Sequence, residues 1–596
     1  MVQENLNRLR ALMSEKEMDA YMVPTSDYHE SEYVGGYFKT RAWMSGFTGS
    51  AGTLIVTQQE AGLWTDGRYF IQAEAQLEGS GITLYHMGNE GVPTVFEFLE
   101  NRVPEGGCLG FDGRVVNAAL GKGLEDAMKK KGARVAWEED LCGQIWTDRP
   151  ALSAEKAYLL KEEYTGCSMA DKLAGLRMAM KEKCADIHLN TCLDDIAWLF
   201  NMRGNDIPYN PVVLSYVAVT MTEAVLFVQD GVLGEDIACE LEKNRVCVRP
   251  YESVYDYVKR IPDASRVLLD KSRTNYAICS GISSEVKILD EKSPVMLAKA
   301  VKNPVEVDNE RKAHKKDGVA VTKFIYWLKQ NIGKTEITEI SASDYLEELR
   351  RQQENFVELS FDTIAAYKDN AAMCHYSATP ESSRTLKPEG FLLVDSGGQY
   401  LEGTTDITRT IALGALTEEE IRSFTLVLKG MIRLAKAKFL YGCRGLNLDY
   451  LARGPLWEHG MDYNHGTGHG VGYMLNVHEA PNGFRWKVVP ERDDSCILEE
   501  GMITSNEPGY YEAGQYGIRT ENLIVCRKAE KNEYGQFMEF ETLTLAPIDR
   551  DAIDVSLLDK EELDWLNDYH RRVYEELSPC LDAAEAVWLK EATEKL

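Results

Sequence analysis

FLLVDSGGQYLEGTTDITRTIAL, residues 391–413, carries two apolar or β-branched runs on either side of a Gly/Gln/Glu/Gly turn region. Such runs read as the two strands of a hairpin, and a hairpin would bring Asp395 and Asp406 together. Two ionised carboxylates that close repel each other unless a cation lies between them. Taken alone, the pair reads as two surface aspartates at a hairpin end, so the meaning depends on further partners.

Those partners lie downstream. HGTGHGVGYMLNVHE, residues 465–479, sets His465, His469 and His478 among glycines, which permit close backbone approach. The segment matches neither GxGxxG nor GxxxxGK in register, and a phosphate loop would not explain three histidines. TSNEPGYYEAGQYGIRTENLIV, residues 504–525, adds Glu507 before Pro508-Gly509 and an expected strand from Ile518 to Val525 bearing Glu521. With side chains alternating along that strand, Arg519 and Glu521 share a face, and Arg519 can orient or neutralise this corner.

Asp395, Asp406, His469, Glu507 and Glu521 supply four carboxylates and one imidazole. Four negative charges balance two divalent cations and leave room for a hydroxide between them. Oxygen-rich ligation with one nitrogen suits Mn, and less exclusively Fe, Co or Zn, whereas the absence of thiolates argues against a structural zinc. Paired metals roughly 3.5 to 4 Å apart acidify a bridging water and polarise a carbonyl, which is the chemistry of hydrolysis. Rival nucleophiles do less well. Cys374 and His375 are neighbours, and on a strand adjacent side chains point to opposite faces, so they cannot form a thiolate-imidazole pair. No GxSxG elbow occurs.

Around this site the chain is long and acidic. At 596 residues it exceeds one compact core. Its 66 Lys plus Arg against 95 Asp plus Glu, a formal charge of -29, leave no broad basic surface for phosphates or anionic lipid, so nucleic acid is not an expected partner. Thirteen scattered cysteines without a CxxC pair fit reduced thiols in a cytoplasm. The charged N-terminus has no signal-like apolar core and no run of 18 apolar residues occurs, so neither secretion nor membrane spanning is expected.

The N-terminal half contains a repeat. Leu6, Leu9-Arg10, Met13, Glu15-Lys16 and Asp19 recur as Leu173, Leu176-Arg177, Met180, Glu182-Lys183 and Asp186, at a constant offset of 167 residues. Each copy reads as an amphipathic helix leading into strands, which predicts two related α/β domains in series. Asp148-Arg149-Pro150 and Lys302-Asn303-Pro304 are the expected boundaries, giving domains at 1–150, 151–303 and 304–596. After the second boundary a long helix is expected, and six of the ten histidines fall between His314 and His478.

With these residues in hand, the spacing of the five ligand candidates and the phrases DSGGQYLEGTTDITRT, HGTGHGVG, NEPGYY and GIRTEN resemble the pita-bread metallopeptidases. The likeness is to the long, three-domain Xaa-Pro aminopeptidases, and it extends through SGFTGSAGT, LWTDGRYF, DDIAWLFNMRG and LDWLNDYH. The resemblance implies two creatinase-like α/β domains followed by a pita-bread catalytic domain with a C-terminal helical tail, an α/β (α+β) architecture. It implies two Mn ions, with Asp395 chelating one, Asp406 and Glu521 bridging, and His469 and Glu507 completing the other. It further implies release of the N-terminal residue from peptides whose second residue is proline, by a hydroxide bridging the metals, with Glu507 as acid/base partner. His375, His465 and His478 match the family's substrate-binding histidines, and Arg519 its supporting arginine. Phe361, Tyr376 and Tyr511 are apolar candidates for a proline pocket, while Arg68 and Trp64 are candidates to face the cleft. A homodimer is implied. The alternatives are a prolidase-type Xaa-Pro dipeptidase and a non-catalytic relative that binds peptides or proteins.

Overall fold

The computed structural model describes residues 1–489 and 494–596. They divide into two compact units, Met1–Leu159 with Cys167–Val295, and Leu160–Gly166 with Met296–Leu596.

The first unit contains the repeat. Its first copy opens with helix α1 (Val2–Glu15) and strand β1 (Ala20–Pro24), followed by β2 (Thr53–Thr57), β3 (Ala61–Thr65), β4 (Thr83–His86), β5 (Cys108–Phe111) and β6 (Arg134–Ala136). The second opens with α2 (Met169–Glu182) and continues through β7 (Ile187–Asn190), β8 (Ser215–Thr220), β9 (Ala224–Val228), β10 (Val246–Pro250), β11 (Arg266–Leu269) and β12 (Lys287–Asp290). The sheets run β4-β3-β2-β1-β5-β6 and β10-β9-β8-β7-β11-β12, the same order. The pairings match as well: β1-β2, β2-β3 and their counterparts are antiparallel, the rest parallel.

The repeated residues do the same work in both copies. Leu6, Leu9 and Met13, like Leu173, Leu176 and Met180, are buried under their sheets. Arg10 Nε donates to Thr57 O at 2.8 Å and Arg177 Nε to Thr220 O at 3.0 Å. Asp19 accepts from Cys108 N and Asp186 from Arg266 N, each at 2.8 Å. Lys16 pairs with Glu139 and Lys183 with Glu291. Each Arg and Asp satisfies a backbone group at a strand end. In the first copy, Trp64 is buried with its indole N–H on Pro93 O, and Arg68 is held by Asp66.

The second unit begins its long helix where expected. Asn303 caps α3 (Pro304–Asn331) by accepting from Val305 N and Glu306 N, Glu306 returns a bond to Asn303 N, and Pro304 occupies the first turn, where its missing N–H costs nothing. Helices α4 (Glu339–Arg351), α5 (Glu418–Ala435), α6 (Gly445–Trp457) and α7 (Lys560–Leu577) follow. Strands β13 (Phe356–Leu359), β16 (Gly398–Tyr400) and β17 (Gly403–Thr404) make one small sheet; β14 (Ile364–Tyr367), β15 (Phe391–Ser396) and β18 (Ile407–Ala412) make another. A six-stranded sheet contains β19 (Lys438–Leu440), β20 (Gly468–Gly470), β21 (Glu479–Phe484), β22 (Ile503–Asn506), β25 (Asn522–Asn532) and β26 (Gly535–Thr542) in the order β19-β26-β25-β22-β20-β21. Between β22 and β25 lies the hairpin β23 (Gly509–Glu512) and β24 (Tyr516–Arg519). Helix α5 is buried along most of its length and packs with Leu566, Tyr569, Val573 and Leu577 of α7, with Leu563 and Trp565 at the margin.

Two local expectations differ. The hairpin of residues 391–413 is not simple: β15 and β18 pair as expected, but the intervening β16 and β17 leave for the other sheet, pairing with β13 and with each other. The strand expected from Ile518 to Val525 is interrupted, because β24 ends at Arg519 and β25 starts at Asn522. β24 pairs with β23 and β25 with β22, so Thr520 and Glu521 turn the chain from one partner to the other.

Candidate metal centre

Asp395 lies on β15 in register with Thr408 of β18, and Asp406 stands one residue before β18. Glu521 is brought alongside by its own N–H, which donates to Thr408 O at 3.1 Å. His469 sits on β20, and Gly468 beside it is what allows β20 and β22 to approach: a Cβ there would lie 1.9 Å from Ser505 O. Ser505 Oγ accepts from His469 N and donates to Glu507, which follows β22 directly.

These elements bring the five ligand candidates into one group, Asp406 and Glu521 buried, Asp395, His469 and Glu507 half-buried. Asp406, His469 and Glu521 each present a donor atom within 4.8 Å of the others. His469 Nε2 is 3.4 Å from Asp406 Oδ2 and 3.6 Å from Glu507 Oε1. Its Nδ1 is 2.9 Å from Gly470 O, so Nδ1 donates to that carbonyl and Nε2 is the ring nitrogen that faces the carboxylates. Asp395 Oδ2 accepts from Arg519 Nη2 at 2.6 Å, and its Oδ1 is buried without a hydrogen-bond partner among the described residues.

The electrostatics of the group call for positive charge. Burial, reinforced by mutual repulsion, pushes the carboxyls of Asp395 and Glu507 above the usual range and that of Glu521 well above it. Burial disfavours the charged form of His469, yet the Asp406 hydrogen bond and the charges of Glu507 and Asp406 push its pKa up to about 9. A field that holds a proton so firmly suits a divalent cation at the same place, and an unpartnered carboxylate oxygen beside an imidazole nitrogen is a fitting donor set once the cation displaces that proton.

The remaining candidates surround this group. Arg519 also donates to Tyr511 Oη at 2.6 Å, and Tyr511 Oη is 2.9 Å from His465 Nε2. Burial, followed by the nearby Arg519 charge, holds the His465 pKa well below the ordinary value; its Nδ1, 2.7 Å from Gly466 O, carries the proton. The phenol is therefore the donor to His465 Nε2, completing a chain from Asp395 through Arg519 and Tyr511. His478 packs perpendicular to His469 with ring centroids 4.3 Å apart. His375 is close enough for its charge to bear on His465. It stands in a loop after a 3-10 turn at Lys368–Ala372, not on the strand expected there, so strand alternation is not what separates it from Cys374. His459 stays outside, its Nδ1 2.8 Å from Pro455 O of the preceding helix α6.

Three hydroxyl-bearing side chains make contacts that the sequence reading did not assign to them. Thr408 donates to Glu521 Oε2 at 2.8 Å and accepts from Arg519 Nε at 3.2 Å, joining the two. The signal was present, since Asp406, Thr408 and Thr410 alternate onto one face and Thr410 Oγ1 accepts from Arg519 N. Tyr511 and Tyr376, assigned as apolar pocket walls, both use their hydroxyls: Tyr511 as above, and Tyr376 by donating to Glu339 at 2.9 Å.

Known proteins share the organisation of this chain. Family models match residues 5–136 and 148–306, each as a creatinase/prolidase N-terminal domain, 308–528 as metallopeptidase family M24, and 536–596 as the C-terminal region of that peptidase. The probable Xaa-Pro aminopeptidase P of Talaromyces marneffei is 40% identical over 610 residues, spanning 100% of this chain and 92% of its own. The chain belongs to the Xaa-Pro aminopeptidase P family. Another member, from Paracoccidioides brasiliensis, is 39% identical over 614 residues, covering 100% of this chain and 99% of the relative. Among solved structures, the X-prolyl aminopeptidase of Caenorhabditis elegans, described as a cytosolic enzyme with a di-nuclear active site, superposes with a TM-score of 0.94 at 38% identity, covering 100% of both chains. The Xaa-Pro dipeptidase of Bacillus anthracis shares the fold over 64% of this chain, and 99% of its own, with a TM-score of 0.52 at 22% identity.

Proposed function

We propose that the protein is a metal-dependent aminopeptidase that hydrolyses the N-terminal Xaa-Pro bond of peptides. The observation that carries this is 40% identity over the full length to Xaa-Pro aminopeptidases P together with a group of four carboxylates and one imidazole, two of them buried and three half-buried. Asp395, Asp406, His469, Glu507 and Glu521 would hold two divalent cations, and the donor chemistry favours manganese over softer metals. Such a pair, when bound, supplies Lewis acidity that polarises the scissile carbonyl and acidifies water.

The chain's own residues do the rest. Water adds its oxygen to the carbonyl carbon, the C–N bond breaks, and the departing proline nitrogen takes up a proton. Glu507, whose carboxyl is raised by burial and lies beside His469 and His465, is suited to receive the water proton and return it to that nitrogen. An Xaa-Pro bond offers no amide N–H to a protease, so recognition must rest on its carbonyl and ring. His465, kept neutral in its burial and fixed by Tyr511, and His375 and His478 nearby are the groups that would orient the carbonyl. Arg519 holds Asp395 and Tyr511 in place.

The domain division 1–150, 151–303 and 304–596 is supported by the twin sheets and by the capped start of α3. A homodimer is supported by an exposed aromatic patch, Tyr450, Trp457 and Trp486, with successive ring centroids 6.0 and 6.1 Å apart. A cytoplasmic location is supported by thirteen scattered cysteines with no CxxC pair among them. No described helix is long and apolar enough to cross a membrane. The deciding assay compares a tripeptide such as Arg-Pro-Pro with an Xaa-Pro dipeptide: release of arginine from the tripeptide is expected, and activity on the dipeptide alone would assign the chain to the prolidase type instead. Sedimentation of Trp457→Glu tests the dimer, with a shift to monomer expected.

A further inference from the structure

The loop carrying His375 is held by a carboxylate that the reaction itself does not use. Between the end of β14 at Tyr367 and the start of β15 at Phe391 the chain makes one 3-10 turn and no further helix or strand. A segment without its own ladder must satisfy its backbone donors elsewhere. Glu339, the first residue of α4, is fully buried and takes one backbone donor from each side of the 3-10 turn together with two side-chain donors. Its Oε1 accepts from Tyr367 N at 2.7 Å and Asn370 Nδ2 at 3.0 Å; its Oε2 accepts from Tyr376 Oη and from Arg384 N, each at 2.9 Å. Its own N–H donates to Arg384 O at 3.0 Å, closing the loop onto the helix start, where the dipole favours a negative charge. Tyr376 is buried, and burial raises its pKa to about 12, so its hydroxyl remains a donor.

On its other side the same loop is fixed by β24. Ala371 O lies so near Gly517 that a Cβ there would stand 1.9 Å from it, and Arg519 follows two residues later. The loop is thus clamped between the Glu339 carboxylate and the strand that delivers Arg519, with His375 beside one of the groups the carboxylate grips.

We propose that Glu339 is a positioning residue for the peptidase reaction, setting through Asn370 and Tyr376 where His375 meets the substrate. This rests on the reading of His375 as a substrate-binding residue. Glu339→Gln keeps the volume but puts an amide N–H₂ against donors, so at least one of them loses its acceptor.

The test is a double-mutant cycle on the full-length, manganese-loaded protein, with metal content and thermal unfolding measured beside the kinetics of Arg-Pro-Pro cleavage. Glu339→Gln is expected to lower kcat/KM by about tenfold or more with metal content unchanged, and Tyr376→Phe to act in the same direction to a lesser extent. In a His375→Ala background either change should add less than about twofold. Should Glu339→Gln fail to fold, Tyr376→Phe carries the cycle alone. Wild-type kcat/KM in the variants, or effects that multiply fully with that of His375→Ala, overturns the proposal. An unimpaired His375→Ala overturns the reading of His375 itself and the proposal with it.

Discussion

Thr408→Val is a probe of how the ligand group is held, because valine matches threonine in shape and removes only the hydroxyl. That hydroxyl donates to Glu521 Oε2 at 2.8 Å and accepts from Arg519 Nε at 3.2 Å, in a buried setting where water cannot replace it. A hydrogen bond to a charged group is worth about 1.5–3 kcal/mol, and with Glu521 as a proposed metal ligand, loss of the partner that orients it costs about 10- to 100-fold in metal affinity or activity. The two figures agree, since about 1.4 kcal/mol is a factor of ten. Thr408→Val should therefore bind manganese roughly 10- to 100-fold more weakly, with Thr408→Ser restoring most of the loss. The measurement is a titration of metal-stripped protein, followed by metal analysis and by Arg-Pro-Pro cleavage at saturating metal. Manganese affinity and kcat/KM both within about twofold of wild type would refute the argument that Thr408 orients Glu521.

Further outcomes follow from other parts of the molecule. Exhaustive chelation should abolish turnover and manganese should restore it more readily than magnesium; full activity in excess chelator would refute a metal mechanism. Asp317→Asn leaves the buried Arg350 guanidinium, now 2.7 Å from Asp317 Oδ1, without its counter-charge, and should cost about 3–5 kcal/mol of unfolding free energy in urea. His570 Nε2 accepts from Ile548 N, and burial, followed by the Arg409 charge, lowers its pKa to about 3. The unfolded histidine takes up a proton near pH 6.5, so its contribution is present above that value and is lost as pH falls towards 3, at up to about 1.4 kcal/mol per pH unit. Replacing His570 by Asn should flatten that part of the stability profile, measured by urea unfolding between pH 4 and 7.

Much of this architecture was legible because it rests on short periods. The apolar spacing of Leu6, Leu9 and Met13, repeated 167 residues later, specified two amphipathic helices, and the repeated Arg and Asp turned out to satisfy the same strand-end groups in both sheets. Asp395 and Asp406 were expected together because alternation and turn residues between them mark a hairpin. That expectation held for the flanking strands and missed the excursion of β16 and β17 into a second sheet, since period-two alternation does not say which neighbour a strand will pair with. The continuous strand through Glu521 failed for the same reason: two different partners claim its two halves.

What the sequence by itself determined is the side-chain chemistry of the proposed centre: four carboxylates, one imidazole, flanking histidines and an arginine, in segments whose glycines and alternation announce close approach. Only the tertiary structure decided which atoms face one another. Thr408 joins Glu521 to Arg519, Tyr511 joins Arg519 to His465, and Glu339 gathers the loop of His375, contacts made across 113, 8 and up to 45 residues. Local patterns follow from backbone geometry repeated every two or 3.6 residues, so they can be read along the chain. A buried hydroxyl or carboxylate finds its partner only after packing has removed water and left it no other, and that selection is made by the folded whole.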